Sequence, residues 1–208
     1  MKIQIILSDE SPFHNKGVVN KHNAHYWSNQ NPRWMEEARF QTVWGTNVWC
    51  GMFNGHLIGP HFYEGILTGQ RYLHFLQNVL PDLMEDIPLN ERRDIIWHQD
   101  GAPPHNAQIV TNYLNALYPN GWIGNRGSIP WPARSSDLPP VDFFMWGYLK
   151  EFVYQVRSAD LDDLKNRIRM GCWIMAHGMI LSSCNKGLRR RLEACVHADG
   201  AQFEHLLN

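Results

Sequence analysis

Two short apolar runs, Ile3-Gln4-Ile5-Ile6-Leu7 and Ile95-Ile96-Trp97, each lead within three residues to an aspartate, Asp9 and Asp100. Near-continuous β-branched and apolar runs of this length are the pattern of internal strands covered on both faces. In open α/β sheets, ligands bind in the crevice beyond the carboxyl ends of such strands. The first run is expected to end near Leu7 and to deliver Ser8-Asp9-Glu10 there, and the second to deliver Gln99-Asp100-Gly101. Between them, Thr42–Phe53 and His56-Leu57-Ile58 flank Asn54-Gly55, the strongest short signal for a β-hairpin. The sheet is therefore expected to be mixed.

The helices are legible from their spacing. From Thr68, a suitable N-cap, Tyr72, Phe75, Leu76, Val79, Leu80 and Leu83 follow the amphipathic rule, with Pro81 expected to kink or shorten the helix. A second helix is expected to start at Pro103-Pro104, with Ala107, Val110, Leu114 and Leu117 inward. A Gly- and Pro-punctuated stretch runs on to Pro140, with a weak strand signal at Trp122-Ile123 or Ser128-Ile129. Val141, Phe144, Met145, Tyr148, Leu149 and Phe152 then make the cleanest helical stripe. Further helices are expected from near Ser158 through Ile168 and from Leu188 through Cys195. This is an α/β chain, with residues 1–156 as core and 157–208 as a C-terminal helical extension of the same domain.

Composition narrows the class. At 208 residues the chain is one domain by size, with 44% hydrophobic residues, too many for a disordered chain. No apolar run approaches the ~18 residues of a membrane span. The net charge of −1 excludes a histone-like or strongly basic binder. Cys50, Cys172, Cys184 and Cys195 lack the close pairing of a zinc ribbon or disulfide scaffold and read as buried thiols. The N-terminus is too short in apolar residues for a secretory leader. A chain opening on a core strand suggests a module whose upstream partner domain is absent.

Asp142 joins the two strand-end aspartates as a candidate. It lies in the first turn of the cleanest helix, after Pro139-Pro140, within about 60° of Met145, Trp146 and Leu149 at 100° per residue. Three converging carboxylates repel one another unless cations neutralise them, and hard oxygen donors suit Mg²⁺ or Mn²⁺. A pair of such ions can activate an attacking hydroxyl and stabilise the leaving oxygen of a phosphodiester. Aspartate after a strand is also an ordinary turn or capping residue, the simpler reading for Asp137. Periodicity alone leaves the convergence open.

Three segments resemble the motifs of mariner/Tc-type transposases, of the DDE/D superfamily, in the family's order. Ser8-Asp9-Glu10-Ser11-Pro12-Phe13 with Asn20-Lys21-His22-Asn23 resembles the first, and His98-Gln99-Asp100-Gly101-Ala102-Pro103-Pro104-His105 the second. The segment from Trp131-Pro132-Ala133-Arg134-Ser135-Ser136-Asp137 through Asp142 to Lys150 resembles the third, and the tail from Arg189 to Glu204 is like that closing many insect members. The resemblance implies a ribonuclease H-like mixed sheet flanked by helices. It implies Mg²⁺- or Mn²⁺-dependent DNA cutting and strand transfer through two ions, with Asp9, Asp100 and Asp142 as catalytic metal ligands, DNA as partner and a second copy of the chain as a further partner. The Asp100–Asp142 interval of 41 residues exceeds the commonest family spacing. The surplus is expected in the loop from Gly121 to Pro130.

Relatives carry an N-terminal helix-turn-helix reader, whereas this chain begins at the first catalytic strand. Weak, non-specific DNA binding by a truncated or domesticated copy is therefore expected. The alternative is a catalytically silent nucleic-acid-binding or protein-interaction domain derived from a transposase. Lys186 with Arg189, Arg190 and Arg191, and Lys165 with Arg167 and Arg169, read first as solvated helix faces and second as phosphate contacts. The arginine run is a weak nuclear-import signal, with a cytoplasmic location expected for a non-functional fragment. His98, Asp100 and His105 could ligate zinc or iron in an unrelated hydrolase, but a structural role for both histidines is simpler. Trp44, Trp49, Trp97 and Trp173 sit in apolar patterns that read as core rather than base-stacking platforms, while Trp131 is a candidate for shaping a DNA channel.

Overall fold

A computed structural model of the chain describes residues 4–17, 43–118, 121–130, 138–175 and 177–207. Strand β1 (Ile5–His14) is longer than the apolar run suggests, so Asp9 lies within the strand and not at its end. The physical reason is a change of partner. Its first residues pair in parallel with β4 (Ile96–His98), and from Leu7 onward it pairs antiparallel with β2 (Gly45–Phe53), which holds it extended through Ser11 and Phe13. β2 turns at Asn54-Gly55 into β3 (His56–Tyr63), as the hairpin signal predicts. β4 continues the sheet in parallel to β5 (Trp122–Ile123). The order is β3-β2-β1-β4-β5, a mixed five-stranded sheet with β1 at its centre.

Each face of the sheet carries its own core, and the two-residue period of the strands sorts side chains between them. Ile6, Trp49, Phe53 and Trp97 join Tyr72, Phe75 and Leu76 of α1 (Gly69–Asn78) and Val110 and Leu114 of α3 (Gln108–Leu117). Phe13, Val48, Cys50 and Met52 join the opposite core, with Met145 and helices α4 (Trp146–Val153) and α5 (Leu161–Ile174). Trp49, Trp97 and Trp122 are fully buried. Each removes roughly 150–250 Å² from water, on the order of 5 kcal/mol at about 25 cal/mol per Å², which fixes the sheet centre firmly.

Caps and breaks reflect the chemistry of their residues. Thr68 caps α1, accepting from the Arg71 amide at 3.3 Å. Pro81 ends the amphipathic run early, and Leu80–Leu83 form a separate short helix, α2. Asp160 caps α5, accepting from the Asp163 amide at 2.8 Å. Helix α3 starts at Gln108 rather than at the prolines, because residues 102–107 form tight turns in which the His105 and Asn106 amides bond Ala102 O. Leu117, expected inward, is half exposed at the last turn of α3.

The last helices are α6 (His177–Ser182), a π-helical turn Ser183–Gly187 and α7 (Leu188–His197), with a 3₁₀ turn Glu204–Leu207 after them. Leu164, Ile168 and Cys172 of α5 and Ile180 of α6 pack in the same core as β2. Trp173 corrects the sequence reading: it is 82% exposed, because Leu164, Ile168 and Cys172 define the inward stripe of α5 and Trp173 stands beside it. Trp44 is half-buried. No helix among the described residues is long and apolar enough to cross a membrane.

Candidate active site

The parallel pairing of β1 with β4 matches Ile5 to Ile96, Ile6 to Trp97 and Leu7 to His98. Asp9 and Asp100 each lie two residues beyond the last matched pair. Ser8 closes the gap by donating its hydroxyl to His98 O at 3.0 Å. The Gln99 amide donates to Ile123 O at 3.1 Å, which keeps the chain on the sheet until Asp100. The negative charge of Asp100 reaches Asp9 and helps to raise its pKa.

Asp9 and Glu10 are neighbours that serve opposite faces. Asp9 pairs across β2 with Cys50 and shares its side of the sheet, while Glu10 pairs with Trp49 and points to the α1/α3 side. On that side His105, only 3% exposed at its side chain, bonds Asp100 Oδ1 through Nδ1 and faces Glu10 Oε2 at 3.2 Å through Nε2. The Tyr72 ring covers the imidazole with centroids 4.2 Å apart, and its hydroxyl donates to Gln99 Oε1 at 3.2 Å. Gln99 in turn donates to His105 O at 2.9 Å. The turn expected to launch a helix at the prolines instead delivers His105 to two carboxylates.

The electrostatics follow from burial and partners. Burial, then the adjacent Glu10 charge, raises the Asp9 carboxyl from 3.8 to about 6, against the pull of the Trp146 hydrogen bond. Burial works against charge at His105, yet its bonds to Asp100 and Glu10 prevail and lift it from 6.5 to about 9. Asp100 is held below the ordinary carboxylate value, since His105 and the Ala102 amide outweigh its partial burial. His98 is buried beneath the site and pushed down to about 4 by burial, a neutral structural imidazole.

Asp142 enters from the opposite side. Pro140 precedes a π-helical turn, Val141–Met145, that runs into α4, and the Asp142 amide donates to Pro139 O at 3.0 Å. Four residues on, the Trp146 indole N–H donates to Asp9 Oδ2 at 2.9 Å. Lys150, another turn along, is near enough for the charges of Asp9 and Asp142 to act on its ammonium, which partial burial depresses. The helix thus presents Asp142, Trp146 and Lys150 at four-residue intervals, and two of them bear on Asp9.

The donor set suits a hard divalent cation. Asp9 is a largely desolvated carboxylate facing the repulsion of two acidic neighbours, Glu10 and Asp100, which a cation would relieve. As the side chains stand, no group of three or more His, Cys, Asp or Glu among the described residues is gathered to hold a metal ion. Zinc or iron ligation by His98 and His105 has no support, since one is buried beneath the strand and the other is committed to two carboxylates.

The sequence pattern places Asp9 and Asp100 after two apolar strand runs and leaves their convergence open, and it does not single out Glu10, Trp146 or Lys150. Strand period two and helix spacing i+4 are the signals that could have found them, and each needs knowledge of which face meets which element. Asn20–Asn23, Trp131 and Asp137 lie outside the described residues. Within 121–130 the chain folds back on itself: the Gly124 amide donates to Ile129 O at 3.1 Å and the Ile129 amide to Trp122 O at 3.2 Å. Of the basic clusters, Arg169 and Lys165 lie over the Phe62 ring and Arg191 lies 4.2 Å over the Phe143 ring, beside Asp142.

No family profile matches the chain. It is 25% identical over 201 residues to the transposable element Tc3 transposase of Caenorhabditis elegans, an alignment covering 95% of this chain and 56% of that protein. The structure superposes on Mos1 transposase in its paired-end complex with the left transposon end, with a TM-score of 0.75 at 21% identity over 97% of this chain and 56% of that one. It also matches the Mos1 transposase catalytic domain solved with raltegravir and Mg, with a TM-score of 0.71 at 19% identity over 97% and 86%. The chain thus spans about half the length of the curated relative it matches. The resemblance to mariner/Tc-type transposases extends along nearly all of this chain, and its fold is the ribonuclease H-like fold of the mariner catalytic domain.

Proposed function

We propose that this transposase-like domain is a metal-dependent DNA endonuclease and strand-transferase, with Asp9, Asp100 and Asp142 as its catalytic carboxylates. The observation that carries the reading is the β1–β4 register, which brings Asp9 abreast of Asp100 at the centre of a fold shared with transposase catalytic domains. The Mg with which the Mos1 catalytic domain was solved and the transposon end in the Mos1 complex support a divalent ion and DNA as the partners to test. A pair of ions held by these carboxylates would supply Lewis-acid activation of a water and charge neutralisation on the phosphodiester.

The chain's own residues then have separable tasks. Asp9 offers oxygen ligands from β1 and Asp100 from the segment just past the neighbouring β4, and Asp142 adds one from the helix entry. Ser8 ties the Asp9 segment to β4, the Gln99 amide ties the Asp100 segment to β5, and Trp146 and Lys150 face Asp9 from the helix. In the reaction, water oxygen attacks phosphorus, the bond to the 3′ oxygen breaks, and the products are a 3′-hydroxyl and a 5′-phosphate. In strand transfer the 3′-hydroxyl oxygen attacks the phosphorus of a second phosphodiester, forming a new 3′–5′ link while that phosphodiester's own bond to its 3′ oxygen breaks and the departing oxygen takes up a proton. A paired arrangement of two copies, as the Mos1 paired-end complexes suggest, and a nuclear location aided by the Lys186–Arg191 cluster belong to the same proposal.

One observation favours a second reading, a catalytically silent DNA- or protein-binding descendant. The His105 imidazole already engages Asp100 through Nδ1 and lies 3.2 Å from Glu10 through Nε2, so one of the proposed ligands has a partner without any cation. Nicking of a supercoiled plasmid in Mg²⁺ and Mn²⁺ separates the two. Cutting that Asp9→Ala, Asp100→Ala and Asp142→Ala each abolish supports the enzyme. DNA binding without cutting by the native chain supports the silent domain.

A further inference from the structure

Trp146 is chemically committed in a way its neighbours are not. The indole N–H is a donor with no acceptor capacity, and it is spent on one oxygen of Asp9 at 2.9 Å. The ring is 5% exposed and stands edge-on to Phe13 at 6.1 Å, so it has little freedom to turn away. Its residue lies four beyond Asp142, and the wider π-helical turn between them brings positions i and i+4 closer to eclipse than a regular α-helix does. One buried side chain therefore ties the strand of the first acid to the helix of the third.

We infer that Trp146 is the positioning residue for Asp9, locking Oδ2 so that Oδ1 remains oriented toward a cation shared with the other acids. The inference rests on the proposed role of Asp9 and Asp142 in one site. A neutral donor suits the task, because it fixes the carboxylate without cancelling the charge that a cation requires. Lys150, the other group on this helix that faces Asp9, would supply charge but little direction, since a flexible ammonium is a point charge. Outer partners of ligating carboxylates typically govern metal affinity or activity by about 10–100-fold.

The test uses the native chain, Trp146→Phe and Asp9→Asn. Trp146→Phe keeps a ring against Phe13 and removes only the N–H and part of the indole. Metal-free, the indole N–H resonance of Trp146, identified by its loss in Trp146→Phe, should exchange slowly and move in Asp9→Asn. Calorimetry with Mn²⁺ should show affinity lower by about 10-fold or more in Trp146→Phe, with a melting temperature close to native. Plasmid nicking should fall in turnover with the half-saturating DNA concentration unchanged. A resonance indifferent to Asp9→Asn overturns the inference, as does a folded Trp146→Phe with native Mn²⁺ affinity. If the native chain neither binds Mn²⁺ nor nicks, the proposed function fails, and a moving resonance then confines Trp146 to ordering Asp9 and also overturns a role in the metal site.

Discussion

His105 stands between the carboxylate of Glu10 on β1 and that of Asp100 just past β4, bonded to Asp100 through Nδ1 and 3.2 Å from Glu10 through Nε2. The pair holds the imidazole protonated to about pH 9, against an ordinary 6.5, although burial opposes the charge. A folded-state pKa raised in this way contributes stability that is complete below pH 6.5 and disappears as pH rises through 9. The melting temperature of the metal-free protein should therefore fall between pH 7 and pH 9.5. In His105→Asn the fall should flatten. An equally steep fall in that variant would show that another group governs it.

The Asp9 carboxyl behaves as a buried acid short of cations. With its pKa at about 6 rather than 3.8, the folded state holds a proton through this window that the unfolded chain releases. Stability contributed by the neutral form is present below pH 3.8 and lost as pH rises through 6. Asp9→Asn should therefore stabilise the metal-free protein at pH 7.5, by roughly 1–3 kcal/mol at about 1.4 kcal/mol per pKa unit. Urea melts with and without Mn²⁺ check this, since the native chain should gain stability from the ion and Asp9→Asn should gain far less.

Much of this arrangement is written in local pattern. The Asn54-Gly55 turn and the apolar runs before Asp9 and Asp100 specify strands because each residue there agrees with its neighbours on one structure. Glu10 is present in the same motif, but assigning it to the face opposite Asp9 requires knowing that β1 stays extended past Leu7. Its partner His105 is hidden for a related reason: Pro103-Pro104 suits a helix start as well as the tight turn that the Asp100 side chain stabilises by accepting from the Ala102 amide at 3.0 Å. Trp173 misleads because apolar content near a helical stripe does not say on which side of the stripe a residue falls. Long-range contacts such as Trp146 with Asp9 become legible from helix spacing only once it is known which face of the helix meets β1.

The hairpin that builds β2 and β3 depends on Gly55. Its φ of +93° is a left-handed conformation, and a Cβ there would run into the His177 ring of α6. Gly55→Ala should destabilise by about 1–3 kcal/mol. Combined with His177→Ala, the clash should be relieved while the backbone strain remains. The double-variant cycle should therefore show a favourable coupling between the two sites, measured by chemical denaturation. Strict additivity would mean that the ring moves aside freely.

Helix α7 brings positive charge to the flank of Asp142. Arg191 lies over Phe143, the residue after Asp142, and Gly187 leaves room for that ring, with a Cβ there only 3.1 Å from it. Arg190 bonds Leu207 O at 2.6 Å and Arg189 pairs with Glu193 across one turn, so the helix is tied down while its cations remain at the surface. If these side chains meet phosphates, removing each phosphate-bound cation should reduce the slope of log affinity against log salt by about 0.9 on duplex DNA. Arg189→Glu combined with Arg190→Glu should weaken binding across unrelated sequences and flatten that slope by one to two such steps. Arg167→Gln, on α5 and paired with Asp163 at 3.0 Å, serves as the comparison and should leave the slope near native. Fluorescence anisotropy on a labelled duplex at four salt concentrations gives both slopes, and an unchanged slope in the α7 variant would remove that helix from the DNA-binding surface.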